Sequence, residues 1–234
     1  MKISVVIPVY NEEKYIIPCI KSLLNQTLPA DEIIVVDNNC QDNTITLCKQ
    51  FSQITIIQEH IQGMIPTRNK GFNTAKGDVI ARCDADAILP NNWISEIKKQ
   101  FSTHTIDALT GPIAFYDLYL KNTLASETYS TLFKPILKGN DILIGPNMIL
   151  TKQIWNKVKK RVCLDDTKVH EDIDLTLHII EYGGKIKRDK KLVVKISGRR
   201  IKHNPASFFG EYPIRFIRTL LAHKEYLSIP FLES

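Results

Sequence analysis

Two aspartates one residue apart, Asp84 and Asp86, close an apolar run that begins at Val79. Acidic side chains at the open end of a core strand must be solvated, paired or bound to a cation. Hard divalent ions such as Mg²⁺ or Mn²⁺ prefer carboxylate oxygen, and Mg²⁺ is held by one or two carboxylates with phosphate and water completing its shell. The pair thus points to a metal and, through it, to a phosphate-bearing ligand. The plainer alternative is a solvated loop, or a cap for the segment after Pro90. A second acidic pair, Glu171–Asp172, opens a helical pattern, where neighbouring N–H groups favour the ionised form. By itself that pair need only offset the helix dipole.

These side chains require a scaffold, and the pattern supplies one. Ile3 to Val9 is a β-branched run suited to a strand buried on both faces. Tyr10-Asn-Glu-Glu13 turns it, with Asn11 as the expected N-cap and the glutamates in the first helical turn. Ile16, Ile17, Ile20, Leu23 and Leu24 recur at helical spacing, with Pro18 early enough to be tolerated. A strand at Glu32 to Val36, a polar loop from Asp37 to Asn43, a short helix to about Phe51 and a strand at Ile54 to Ile57 follow. This β-α-β-α-β alternation predicts a parallel sheet with helices on its faces. A helix opened by Pro66 and closed by Gly77 leads into the Val79 strand. Three strand ends then carry polar clusters, at Tyr10 to Glu12, Asp37 to Asp42 and Asp84 to Asp86, and ligands of open parallel sheets bind at those ends. Beyond a helix at Trp93 to Phe101 the pattern is mixed: short strand-like pieces from 106 to 150, a polar helical stretch near Leu124 to Leu137, the turn Gly145-Pro-Asn147, a helix from His170 to Gly183, basic strands at Lys185 to Arg188 and Leu192 to Ile196, and an amphipathic segment at Pro213 to Leu221.

The 234 residues suit one domain, and 44% apolar with 24% charged residues are globular proportions. The net charge of +6 is uneven: from Lys185 onward 12 Lys and Arg face 4 Asp and Glu. That favours an acidic partner for the C-terminal fifth, whether phosphate, nucleic acid or an anionic membrane surface. Five scattered cysteines without C-x-x-C spacing indicate a reducing compartment and no structural zinc. Nothing is long and apolar enough for a membrane span. The expected location is cytoplasmic, at most peripheral at the inner face of the membrane.

The motifs, taken in order, resemble the inverting nucleotide-sugar glycosyltransferases of family 2, which have the GT-A fold. They are Val6-Ile-Pro-Val-Tyr-Asn-Glu12, Glu32-Ile-Ile-Val-Val-Asp-Asn-Asn-Cys-Gln-Asp-Asn-Thr44, Thr67-Arg-Asn-Lys-Gly71, Asp84-Ala-Asp86 and Glu171-Asp172. The resemblance implies a single domain: residues 1–105 bind the nucleotide-sugar donor, 106–198 bind the acceptor and carry the catalytic base, and 199–234 form a basic tail. It implies that Pro8, Tyr10, Asn11 and Glu12 contact the nucleoside, that Asp37 hydrogen-bonds the base, usually uracil, and that Asn39 lies in the same donor loop. Arg68 would face the diphosphate, Asp84 would hold the ribose or assist the metal, and Asp86 would coordinate Mn²⁺ or Mg²⁺. Asp42 is at least as well read as an N-cap. Asp172 is the implied base, Glu171 would orient acceptor or metal-bound groups, and Gly145 to Asn147 resembles the acceptor-side turn, with Asn147 bonding a sugar hydroxyl. Arg199 and Arg200 would contact the diphosphate or an anionic acceptor. His203 stands where some GT-A enzymes supply a late metal ligand.

The chain departs from the family pattern in three places. Asn39-Cys40 replaces the usual Gly-Ser, His178 stands where an arginine often follows the Glu-Asp pair, and the Q-x-x-R-W signature of processive synthases is absent. A single transfer is expected rather than polymerisation, to a glycan, lipid-linked or other hydroxyl acceptor in cell-surface glycan or glycoconjugate synthesis. The alternatives are transfer to a polyprenyl phosphate, or a non-catalytic nucleotide-sugar or nucleic-acid binding module. Nucleic acid is not expected, because aromatic residues are not interleaved with the basic tail. A nucleotidyltransferase is disfavoured, because no glycine-rich phosphate loop follows the first strand.

Overall fold

A computed structural model of the chain describes residues 1–118, 139–203 and 212–223 together with positions 123, 131, 134, 135 and 137, the side chains of residues 200, 203, 212 and 213 excepted. The helical stretch expected near Leu124 to Leu137 therefore lies almost wholly outside the described residues.

Strand β1 (Ile3–Val9) is flanked by β2 (Glu32–Asp37) and β4 (Val79–Arg82), and β3 (Ile54–Gln58) lies outside β2, all four parallel. The alternation along β1 and β2 shows why they sit centrally. Ile3, Val5, Ile7, Ile33 and Val35 enter one apolar cluster with Ile16, Ile20, Leu23, Trp93 and Ile97; Val6, Ile34 and Val36 enter another with Phe72 and Trp155. Each buried Val or Ile contributes roughly 1.5–3 kcal/mol. The helices α1 (Ile16–Leu24), α2 (Thr44–Cys48), α3 (Met64–Thr74) and α4 (Trp93–Thr103) connect or cover these strands. Helix α3 approaches β1 closely at Gly71, where a Cβ would stand 2.3 Å from Val6 Cγ1.

The sheet continues through β7 (Met148–Thr151), β5 (Ala108–Thr110) and β8 (Ile186–Arg188) in the order β3-β2-β1-β4-β7-β5-β8. Strand β7 runs antiparallel to β4, so the short 3₁₀ turn Gly145–Asn147 that precedes it lies at the carboxyl end of β4. A small second sheet pairs β6 (Ile113–Phe115) with β9 (Val194–Ile196). Helix α5 (Lys152–Val158) follows β7, α6 (Glu171–Glu181) carries the second acidic pair, α7 (Arg199–His203) opens the basic tail, and α8 (Tyr212–Ala222) packs Phe216 and Leu220 against Ile173 and Leu177 of α6. No helix among the described residues is long and apolar enough to cross a membrane.

Some local expectations are corrected. Asn11 is not an N-cap: α1 starts at Ile16, its cap residue Tyr15 makes no side-chain cap bond, and Glu12 and Glu13 precede the helix. Asn11 instead adopts a φ of 54°, which Asn tolerates, and its Oδ1 accepts from Gln41 N at 2.8 Å. Helix α3 opens two residues before Pro66 and ends at Thr74, short of Gly77. Asp42 is not the N-cap: α2 starts at Thr44 with Asn43 as its cap residue and no side-chain cap bond, and Asp42, one position further out, accepts from Thr44 N through its Oδ1 at 2.9 Å.

Candidate active site

The carboxyl ends of β1, β2 and β4 carry the residues expected on the donor side. Register places Val9 beside Asp37 and Val6 beside Arg82, so the segments after β1, β2 and β4 emerge on one edge. Pro8 is inside β1, paired with Val36. Tyr10 is about half exposed and open to a ligand. Asp37 Oδ1 accepts from Cys40 N at 2.8 Å, closing its own loop, and Asn39, at a φ of 64°, donates to His60 O at 3.0 Å. Asn38 is buried and holds the facing loop through Glu59 O, Ile61 O and Gly63 N. Nothing in its sequence context marked it out from Asn39.

After β4, a turn closed by Ala87 N to Asp84 O orients the two aspartates. Asp84 Oδ1 accepts from Arg82 at 2.8 Å, whereas Asp86 Oδ2 lies 3.3 Å from Arg199 Nε. A single bridge from Ile88 to Lys195 ties this turn to β9, and Asp117 fixes the following corner by accepting from Ser197 Oγ and Gly198 N. Burial alone would raise the Asp117 carboxyl's pKa, but those donors and Lys202 hold it below the usual range. The corner delivers Arg199 into the site. Its guanidinium stacks 4.3 Å from the Tyr15 ring and pairs with Glu12 Oε1 as well as with Asp86. Glu12 Oε2 is buried and accepts no hydrogen bond. Two carboxylates gathered round one cation, with a buried oxygen to spare, offer the hard oxygen donors that Mn²⁺ or Mg²⁺ needs. The backbones of Arg200 and His203 lie on α7, but their side chains fall outside the described residues.

Three residues expected at the ligand are held by partners within the protein. Arg68 does not face outward: it is fully buried, and its Nη1 donates to Glu171 Oε2 at 2.6 Å and to Glu171 O at 2.9 Å. Glu171 is accordingly occupied, since its other oxygen takes Arg82. Burial opposes the charge on Arg82, but Glu171 and Asp84 outweigh it and push the guanidinium above its ordinary value. Arg82 carries a signal of its own in the sequence, since a cation inside an apolar strand must find partners. Asn147 is also fully buried. Its Oδ1 accepts from Trp93 Nε1 at 3.0 Å and its Nδ2 donates to Leu192 O at 2.7 Å, so it ties the turn to the core.

Asp172 is differently placed. It stands at the second position of α6 with 15% of its side chain exposed, so a small hydroxyl can reach it. Its Oδ1 meets His170 Nδ1 at 2.5 Å and its Oδ2 accepts from Gly145 N at 3.2 Å. Burial raises its pKa, but the His170 charge and hydrogen bond, the Gly145 N–H and Arg82 together bring it below the usual carboxylate value. Burial lowers the His170 pKa in turn, and Asp172 more than restores it. His170, two residues upstream of the acid, carried no distinguishing sequence signature. A hollow lined by Asp78, Phe101, His104 and Lys152 opens at the opposite ends of the strands and contributes none of these groups.

A sequence model described as glycosyl transferase family 2 matches residues 4–157, well over half of the chain. Glycosyltransferase GlyG of Streptococcus pneumoniae is 34% identical over 120 residues, 49% of this chain and 40% of that protein. The matched stretch spans under half the length of that relative and of an Escherichia coli relative, YibD, which is 33% identical over 165 residues, 67% of this chain and 46% of that protein. Among solved structures, mannosyltransferase PcManGT from Pyrobaculum calidifontis, in complex with GDP-Man and Mn²⁺, superposes with a TM-score of 0.78 over 96% of this chain and 64% of its own, at 17% identity. S. aureus TarS in complex with UDP-GlcNAc gives 0.67 over 85% of this chain and 59% of its own, at 19% identity. The architecture is thus that of these transferases, a mostly parallel sheet with antiparallel additions and flanking helices.

Proposed function

The chain belongs to glycosyl transferase family 2, and on that premise we propose that it transfers a sugar from a nucleoside-diphosphate donor to an acceptor hydroxyl in one inverting displacement. The observation that carries this reading is the meeting of Glu12, Asp86 and the Arg199 guanidinium at the strand edge. Such a cluster suits a diphosphate and its metal. The donor is read as UDP-linked, with Tyr10 and Asp37 beside the base. TarS was solved with UDP-GlcNAc and PcManGT with GDP-Man, so the base must be tested directly.

Asp172 takes the acceptor's proton as that oxygen attacks the anomeric carbon, from the face opposite the departing diphosphate. It is ionised at neutral pH and keeps lone pairs beyond those used by His170 and Gly145. His170 holds the carboxylate's orientation, and the paired Arg68, Arg82 and Glu171 fix the first turn of α6 beneath it. As the donor bond breaks, Arg199 is within reach of the charge that develops on the leaving oxygens. Mn²⁺ or Mg²⁺ held by Asp86, with Glu12 nearby, would supply further stabilisation of that charge. On this reading residues 1–105 serve the donor and 106–198 the acceptor.

The acceptor is read as a hydroxyl on a glycan or lipid-linked intermediate. The lipid-linked form is favoured by one observation: α8 exposes Ile214, Ile217 and Leu221, each more than half exposed, beside Arg215 and Arg218. That is the composition of a helix lying on an anionic membrane surface.

Calorimetric titration with UDP and with GDP, each in Mn²⁺ and in chelator, tests the reading. UDP binding that Mn²⁺ strengthens, and that loses its metal dependence in Asp86→Ala, supports it and justifies a screen of UDP-sugars. Absence of nucleotide binding in every condition would end it.

A further inference from the structure

One buried cluster takes no part in this chemistry. Asp174 and His178 lie one turn apart on α6 and share a face, while His223 follows directly after α8. Their side chains are 1%, 7% and 9% exposed. The two imidazole Nε2 atoms are 3.3 Å apart, and Asp174 Oδ1 lies 3.6 Å from the first and 3.5 Å from the second.

The opposite ring nitrogens define what these atoms are. His223 Nδ1 is 2.9 Å from Thr219 O, which can only accept, and His178 Nδ1 is 2.8 Å from Glu181 Oε2, a carboxylate oxygen. Each ring therefore carries its proton on Nδ1 and, when neutral, presents an Nε2 lone pair to the other. The third corner is an anionic oxygen that is buried and accepts no hydrogen bond. Three lone pairs directed at one point repel unless a cation lies between them. A proton on His178 is the competing answer: burial lowers that pKa, but Asp174 and Glu181 raise it above its ordinary value. Geometrically, though, a proton bridges only the two nitrogens at 3.3 Å, with Asp174 Oδ1 3.5 and 3.6 Å away.

A tetrahedral ion answers it well. Metal–nitrogen bonds of about 2.0–2.1 Å at tetrahedral angles separate the ligand atoms by about 3.3–3.4 Å, close to each side of this triangle. The rings meet at 76° with centroids 4.8 Å apart, and their Nε2 atoms, at 3.3 Å, lie on the facing sides. The outer contacts also match a metal site, in which each ligating histidine donates its other N–H to a carboxylate or backbone carbonyl. Asp174 is fixed likewise, its Oδ2 accepting from Cys163 N at 2.9 Å.

We propose that Asp174, His178 and His223 bind a zinc ion that staples α8 to α6. Two imidazoles and a carboxylate suit Zn²⁺, and the remaining position is left for water or one further donor. The cysteine pattern argues against structural zinc, but this donor set contains no cysteine and brings together residue 174 of α6 and residue 223, which follows α8. The site has a consequence for the catalytic helix. Thr219, whose carbonyl holds His223, also accepts from His170 N through its hydroxyl at 2.8 Å, and His170 is the partner of Asp172. The ion would thus anchor the C-terminal helix beside the base without touching substrate.

The test uses the full chain carrying Asp86→Ala, which removes the donor-side carboxylate, stripped of metal and titrated with Co²⁺ alone and then Zn²⁺. We expect one equivalent of Co²⁺ with the intense visible bands of four-coordinate geometry, displacement by Zn²⁺, and a Tm rise of roughly 5–10 °C with zinc. His223→Gln should abolish the bands and the Tm rise. If that variant does not fold, His178→Gln and the titration of the parent chain decide the matter. Only the pale absorption of six-coordinate Co²⁺ in the parent chain, or bands that persist in both histidine variants, would overturn the site. Nucleotide binding by the chain with Asp86 intact is read separately, so failure here leaves the transferase reading standing, and the reverse.

Discussion

Arg199 Nε lies 3.3 Å from Asp86 Oδ2, and the same guanidinium also pairs with Glu12. The tail's cation thus sits on the carboxylates that a divalent ion would use, stacked on Tyr15 and held by the Asp117 corner. On the proposed reading it competes with metal in this state. On the same reading, the charge would meet the diphosphate when nucleotide is present.

Arg199→Ala separates the two roles. Loss of a charge-assisted hydrogen bond worth about 1.5–3 kcal/mol to the competitor should strengthen Mn²⁺ binding without nucleotide by on the order of tenfold. UDP affinity in saturating Mn²⁺ should fall. Calorimetry of each step reads both effects, and Mn²⁺ affinity equal to that of the parent chain would show that the guanidinium is no competitor.

Glu171 serves two buried guanidinium groups, Arg68 at 0% and Arg82 at 2% side-chain exposure. Glu171→Ala leaves Arg68 with Asn69 as its side-chain partner and Arg82 with Asp84, and breaking a buried ion pair from one side costs about 3–5 kcal/mol. Thermal unfolding should drop by roughly 10 °C or more. Adding Arg68→Met to that variant should recover part of the loss, because one uncompensated charge is gone. A Tm for Glu171→Ala equal to the parent's would mean that solvent already compensates these arginines.

What could be read from the chain beforehand divides along physical lines. The both-face burial of β1 and β2, the polar clusters at three strand ends and the acidic opening of α6 follow from periodicity and residue type, both of which are local. Partners are not local. Arg68 and Glu171 are 103 positions apart, and nothing near Arg68 says that its fork points inward. Asn147 looked like a sugar contact because an exposed turn and a buried one share the same Gly-Pro-Asn sequence. Met148 to Thr151 is too short to encode its direction, so the antiparallel entry of β7 emerged only with the fold. Asn11 offered capping chemistry equally suited to the positive φ it adopts.

Asn147 gives that distinction a measurable form. Asn147→Ala leaves Trp93 Nε1 and Leu192 O without their partners in the core. Each unsatisfied buried group costs about 1–3 kcal/mol. Denaturant unfolding should register a loss in that range or above, while the KM for acceptor in the surviving folded enzyme stays near the parent value. A raised acceptor KM with unchanged stability would support the sugar-binding role.

The His170–Asp172 pair fixes the sign of the pH dependence. Asp172 is held below the ordinary carboxylate pKa of about 3.9, so its contribution to stability is present above that pH and is lost as pH falls through the lowered value. His170 is held above about 6.5, so its contribution is full below that pH and is lost as pH rises through the raised value. Stability from this pair is therefore greatest between those two ordinary values and declines on the alkaline side first. Tm measured from pH 6 to 9 should fall in the parent chain, and His170→Gln should remove that component of the slope. An equal slope in the variant would locate the titration elsewhere. Asp172→Asn retains the shape and the Gly145 contact but cannot accept a proton. Nucleotide binding should persist while transfer drops about 10²–10⁴-fold, the usual contribution of a general base. Transfer at the parent rate in Asp172→Asn would remove it from the reaction, and would leave the carboxylate a purely electrostatic partner of His170.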